Sequence, residues 1–276
     1  MEPEVAKADA PITTSPDVND GEGQMSFWAH LDELRGIIVK IVAVEIVAAI
    51  VFFIFMPWIF DNVILAPCRG TFPLYRLFDL IAPGQTPPDF QVSLINIQLA
   101  SQLFVHLSAS GWMAAVFTFP IIIYLLWTFV SPGLYPEERR NSRTVFLFGN
   151  AMFYIGTATG YFLVFPLTLR FLATYQLSDL IPNTITLDSY MDNFWGICLI
   201  MGLVFELPLV AWILGKLGLL TRGLFRTYRR HAIVALLIAA AIITPTGDPF
   251  TLLIVFLPLY GLYEFSATLV PAGEKS

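Results

Sequence analysis

Apolar residues fall in long runs along this chain, separated by short polar links and two longer loops. Six runs stand out, at roughly 37–59, 102–130, 144–172, 194–214, 231–246 and 250–268. A helix needs about twenty apolar residues to cross the hydrocarbon of a bilayer. The pattern therefore predicts an all-α integral membrane protein of six transmembrane helices over residues 26–270. A long loop at 60–101 carries Pro67, Pro73, Pro83, Pro87 and Pro88, and its end, "VSLINIQLASQLF", reads as a helix lying at the membrane surface. A second loop covers 173–193, and polar links cover 131–143 and 215–230.

Lys and Arg set the orientation. The two links hold Arg139, Arg140, Arg143, Lys216, Arg222, Arg226, Arg229 and Arg230, whereas the loops hold only Arg69 and Arg76. Both termini and both links are therefore expected on the cytoplasmic side, as an even number of spans requires. Pro120, Pro166, Pro208 and Pro258 each fall inside a span, in "FTFP", "LVFP", "FELP" and "VFLP". Proline removes a backbone hydrogen bond and kinks a helix, so a bent, concave bundle is expected. The fifth run is short, about 24 Å at 1.5 Å per residue. A hydrocarbon core is about 30 Å thick. The hairpin around "TPTGDPF" is therefore expected not to cross a bilayer of normal thickness.

Composition supports the membrane reading. The chain is 57% hydrophobic and 13% charged, whereas a soluble domain is about half apolar and about a quarter charged. Residues 1–25 form an acidic tail rich in Pro, Asp and Gly, which predicts disorder. It has no basic stretch leading into an apolar run, as a signal peptide would. Residues 271–276 are a C-terminal tail. The net charge of −6 disfavours a nucleic-acid partner. Cys68 and Cys198 predict no disulfide, and no spacing of ligand residues predicts a metal. No nucleophile elbow, phosphate loop, paired-His helix or dinucleotide fingerprint is present, so an enzyme is not expected and no cofactor is implied.

Charge at the membrane needs explanation. "SFWAHLDELRG" places Asp32 and Glu33 just before the first span, on the expected cytoplasmic side. Phe27, Trp28, Leu31, Leu34 and Ile38 make an apolar stripe at helical spacing, so the acids read as the solvated side of an amphipathic start. Yet acid beside anionic lipid is disfavoured, and "SPGLYPEERR" puts Glu137 and Glu138 on the same side. Capping of a helix N-terminus accounts for that second pair; a receptor for a basic ligand accounts for both. Glu206, in "GLVFELPLVAWI", sits within a span, where a charge costs several kcal/mol, so it must face the bundle or a cavity. Glu45 lies in the first span, and Glu264 near the end of the last reads as reaching the interface. Asp248 reads as a cap for the sixth helix, and His106 and His231 as interfacial.

"HLDELR" before the first span, "SPGLYPEERR" between spans two and three, "FELP" in span four and "TPTGDPF" between spans five and six together resemble the TatC family. TatC is the core receptor of the twin-arginine protein translocase. The resemblance covers about 26–270 and implies six helices in a concave cup with both termini cytoplasmic, in the bacterial inner membrane. It implies binding of twin-arginine signal peptides on folded cargo, partners like TatA and TatB, an oligomeric complex and use of the proton-motive force. It places the signal-peptide site at Glu33 and Glu138, with Arg35, Arg139 and Arg140 on that surface. Glu206 and Thr244 match an intramembrane polar cluster where partner helices dock, and Pro67 matches the Pro of the first outer loop. The chain departs from the family at Leu252 and Leu253, where a Gln is common just after the fifth–sixth turn, in a turn that reads one residue longer. Gln98 also stands where a Lys is common. A proton-coupled secondary transporter is the alternative suggested by mid-span acid and proline-broken helices. That reading calls for matching halves, and the two halves here differ in span length and loop size.

Overall fold

The apolar runs become helices whose ends extend beyond them. A computed structural model describes residues 27–81, 90–130, 142–178, 180, 183–216, 218–244 and 248–270. Helix α1 (Phe27–Ile59) opens three residues before the HLDELR motif and continues through a widened, π-type turn at Phe60–Ile64 into a 3-10 turn at Ala66–Cys68. A short α2 (Pro73–Ile81) follows, then α3 (Ser101–Val130). The third run divides into α4 (Ser142–Thr159) and α5 (Phe165–Thr174), joined by a second π-type turn at Gly160–Val164. The fourth divides into α6 (Leu187–Val204) and α7 (Leu207–Lys216). Short α8 (Arg222–Thr227), α9 (Arg229–Ile243) and α10 (Pro249–Leu269) complete the chain.

Among the described residues, five helical stretches are long and apolar enough to cross a membrane: Asp32–Cys68, Ser101–Phe129, Phe146–Thr174, Leu187–Lys216 and Pro249–Leu269. The sixth predicted span, 231–246, is α9. Its fifteen residues measure about 22 Å. Helix α6 begins seven residues before the expected 194, because Thr186 caps it by accepting from Ser189 N at 3.3 Å. The terminal tails and residues 131–141 of the expected 131–143 link lie outside the described residues, and Ser142 and Arg143 already belong to α4.

Of the stretch expected to be a surface helix, 92–97 is extended instead, and only Ser101–Phe104 are helical, as the start of α3. Leu94 and Ile95 pair in parallel with Ile185 and Thr186, giving a two-residue ladder (β1, Leu94–Ile95; β2, Ile185–Thr186) that joins the two long loops. Pairing satisfies backbone groups that a lone surface helix would have left to solvent at its ends. Ser101 Oγ then donates to Asp188 Oδ1 at 2.5 Å, holding the starts of α3 and α6 together.

The prolines behave differently from one another. Pro120 and Pro258, and also Pro57, sit within helices that remain continuous. Pro166 follows the π-type turn, and Pro208 follows the break at Phe205–Glu206. A proline in an α-helix frees the carbonyl four residues earlier, and in lipid another helix must supply the donor. Phe53 O, freed by Pro57, lies 2.9 Å from His106 Nε2 of α3, whose ring stacks on Phe53 at 4.0 Å. Val116 O, freed by Pro120, accepts from Tyr154 Oη of α4 at 3.2 Å. Val63 O, four residues before Pro67, accepts from Tyr161 Oη at 2.8 Å, and the neighbouring Ile64 O accepts from Tyr190 Oη at 2.5 Å. Pro67 O and Pro166 O share the buried Tyr75 hydroxyl, at 3.1 and 3.0 Å, and burial pushes that phenol well above its ordinary pKa.

Helices α4 and α6 meet through glycine. A Cβ on Gly156 would stand 2.5 Å from Met201 O, one on Gly160 2.9 Å from Cys198 Cα, and one on Gly202 2.6 Å from Thr157 Oγ1. Gly156 and Gly160 are the small residues of "GTATG", a spacing that lets two helix backbones approach in lipid. The core gathers there, around Phe165, Tyr190, Phe194, Ile197, Cys198 and Met201. Helix α1 stands at the margin: Ile46, Ile50, Ile54 and Trp58 are more than half exposed, as suits residues facing lipid.

Two outcomes follow. Gly156→Ala is expected to lower stability by about 1–3 kcal/mol through overpacking, read as a lower unfolding midpoint in detergent. Gly111→Ala, with nothing within 4 Å of the new methyl, is expected to leave the midpoint unchanged. Spin labels placed along 231–264 are expected to report a hairpin shallower than a full bilayer crossing; a profile spanning about 30 Å overturns this.

Candidate functional site

The first candidate surface lies where α1 begins. Asp32 and Arg35 are exposed there, and Glu33 is half-buried with Oε2 covered. Helices α1 and α3 run antiparallel: Phe53 meets His106, and Thr118 Oγ1 donates to Glu45 Oε2 at 2.9 Å. That register brings the end of α3 at Val130 back to the face on which α1 begins. The segment that then leaves α3 carries Glu138, Arg139 and Arg140, which lie outside the described residues.

The same face collects the other charges. Lys216 ends α7 and covers the Trp212 ring at 4.2 Å. Arg229 pairs with Glu264 at 2.7 Å and donates to Tyr260 Oη at 3.0 Å, so the carboxylate read as reaching the interface does so in an ion pair. Arg222 donates to Ala267 O and Thr268 O, tying α8 to the end of α10.

The second candidate lies inside the membrane. Pro208 has no N–H, so Val204 O loses its helical partner and the helix breaks. Glu206 N turns instead to Leu203 O at 3.1 Å, while Glu206 O still accepts from Val210 N. Glu206 thus occupies a turn between α6 and α7, in a backbone already opened by proline. Its side chain is half-buried against α4: a Cβ on Gly149 would lie 3.3 Å from Oε2. The same methyl would lie 2.9 Å from Leu209 Cδ2, so glycine here lets α7 pack closely on α4. Oε1 is covered and has no hydrogen-bond partner. Asn150, next along α4 and buried, spends Nδ2 on Phe146 O at 2.8 Å and leaves Oδ1 without a partner.

Two acceptors without donors in a membrane interior are costly, by about 1–3 kcal/mol each. Reading the spans for acids alone passes over Asn150; its signal is an amide in the run "FLFGNAMF". Thr244 stands apart from Glu206 in its hydrogen bonding. It ends α9, buried, and gives its hydroxyl to Ala240 O in its own helix at 2.9 Å, so no hydrogen bond joins it to Glu206. Asp248 caps α10 as expected, accepting from Thr251 N at 2.7 Å. Pro67 is buried in the 3-10 turn, where Tyr75 holds its carbonyl.

Comparison with known proteins places these features. The family model described as Sec-independent protein translocase protein (TatC) matches residues 29–258. The TatC protein of Blattabacterium sp. subsp. Periplaneta americana (strain BPLAN) is 31% identical over 252 residues, covering 89% of this chain and 94% of the relative. That of Helicobacter pylori (strain ATCC 700392 / 26695) is 38% identical over 177 residues, covering 64% and 69%. The crystal structure of the twin-arginine translocase receptor TatC superposes with a TM-score of 0.67 at 27% identity, over 87% of this chain and 97% of that one. The same receptor in DDM gives 0.70, over 87% and 98%. With the family model matching most of its length, this multi-pass membrane chain belongs to the TatC family of Sec-independent protein translocase proteins.

Proposed function

We propose that this chain is the receptor subunit of a twin-arginine translocase, acting by recognition rather than catalysis. It sits in the bacterial cytoplasmic membrane with both termini inside. It binds the two consecutive arginines of a signal peptide through Glu33 and Glu138, and Arg35, Arg139 and Arg140 frame that surface. It recruits single-span partners like TatA and TatB near Glu206, and folded cargo moves at the expense of the proton-motive force.

The observation that carries the first step is the antiparallel register of α1 on α3, which returns the chain to the face where Glu33 stands. Guanidinium is a planar fork that matches a carboxylate bidentately, a geometry that the lysine ammonium lacks. Acid at a surface otherwise lined with Arg then has a purpose, since it discriminates an arginine pair from the basic charge around it. The second step rests on the unpaired Glu206 Oε1 and Asn150 Oδ1. Both atoms are covered within the chain, so a transmembrane partner carrying a polar donor would meet them only where its docking parts α7 from α4, a gain unavailable to an all-apolar helix.

Binding of a twin-arginine peptide and its Lys-Lys variant to the chain in nanodiscs tests the first step. Wild type is expected to prefer the arginine pair. Glu33→Ala and Glu138→Ala are each expected to weaken binding about 10- to 100-fold, the loss of one charge-assisted bond. Equal binding of both peptides, unchanged by the mutations, sinks the reading. For the second step, Glu206→Ala is expected to leave peptide affinity intact and to weaken site-specific cross-links to a partner span. Cross-links that persist at wild-type yield rule out recruitment at this residue.

A further inference from the structure

We propose that the cavity between α8 and the last turns of α10 binds the phosphate headgroup of an anionic phospholipid. The cavity, of about 270 Å³, is lined by Arg222, Arg226 and Arg229, by Phe225 and Tyr263, and by one acid, Glu264. The three guanidiniums are held differently. Arg229 is matched by Glu264 at 2.7 Å. Arg222 spends Nε and Nη2 on the carbonyls of Ala267 and Thr268, at 3.2 and 2.7 Å. Those bonds fix its direction but leave its charge unbalanced. Arg226 is exposed and makes no hydrogen bond or ion pair among the described residues. Positive charge therefore exceeds negative at the cavity. The general bias of Lys and Arg toward one side of a membrane explains their sign, but not their convergence on one concave site.

The cavity is built before any ligand arrives. Tyr263 Oη donates to Phe225 O at 2.6 Å, closing α8 onto α10, and Arg222 repeats the link one turn away. Guanidinium suits phosphate oxygens, which it can take in pairs. A lipid is favoured over a free anion by the apolar part of the lining, where Phe225, Tyr263 and Ala267 stand beside the arginines and offer surface on which acyl chains can lie. Helix α9, at about 22 Å, is shorter than the hydrocarbon, so the bilayer must thin beside it. Thinning draws headgroups toward the first turn of α9, where Arg229 stands. Basic pockets between transmembrane helices are suited to anionic headgroups on these grounds.

The test is native mass spectrometry of the full chain released from micelles with added phosphatidylglycerol or phosphatidylcholine. Wild type is expected to retain one phosphatidylglycerol in clear preference to phosphatidylcholine. Arg226→Gln is expected to reduce that retention about fivefold, the contribution of one basic residue near an anionic surface. Arg230→Gln, outside the cavity, is expected to change nothing. Glu264→Gln, which releases Arg229, is expected to raise retention. Unfolding midpoints equal to wild type confirm that Arg226→Gln remains folded. The proposal fails if both lipids are retained alike, if Arg226→Gln keeps the preference, or if excess inorganic phosphate displaces the lipid, which would make this a simple anion site.

Discussion

Every carbonyl that lies in hydrocarbon needs a donor, and most of this architecture follows from that requirement. The chain carries prolines and widened turns in helices that water cannot reach, and each one orphans a backbone oxygen. The remedies come from other helices. His106 of α3 takes the oxygen opened by Pro57 of α1, and Tyr154 of α4 takes the one opened by Pro120 of α3. Tyr161 and Tyr190 take the carbonyls before Pro67. Each bond joins elements distant in sequence, so the irregularities that weaken single helices tie the bundle together.

The glycine contact between α4 and α6 sets how closely those donors can approach. Without side chains at Gly156 and Gly160, the backbones meet near Met201 and Cys198. Tyr161 then stands against both α6 and the end of α1, its ring edge-on to Phe194 and its hydroxyl on Val63 O. On the loop face the ladder between β1 and β2 and the bond from Ser101 to Asp188 add further closure. The opposite face is joined mainly by side chains at helix ends, such as Arg222 on α10 and Arg229 on Glu264. The asymmetry leaves the helices held from the knitted face while the charged face is tied by fewer backbone bonds.

The polar atoms that this bundle satisfies differ in kind from those it leaves. Glu45 is met by Thr118 within the chain. Glu206 Oε1, beside the proline break, and Asn150 Oδ1 on α4 are not met. A protein that spends tyrosines on single carbonyls would gain stability by pairing these acceptors too.

The sequence alone determined the membrane class, because runs of apolar residues cannot be hidden in water. Local signals were equally direct: Asp248 as a cap, the break at "FELP", and the shortness of the fifth run depend on residues a few positions apart. The acids at Glu33 and Glu206 were legible because charge is rare beside or within such runs. What tertiary structure decided is the pairing across helices. Pro57 gave no sign that His106 would serve its carbonyl, and an isolated "VSLINIQ" read as helix until Ile185 and Thr186 supplied a strand partner. Asn150 is left with an unpaired oxygen because its amide turned to Phe146 O, and the Thr244 hydroxyl likewise turned to its own helix. Periodicity and composition report what one segment must do with its own surface; which atoms meet between segments depends on packing in three dimensions, which no local pattern encodes.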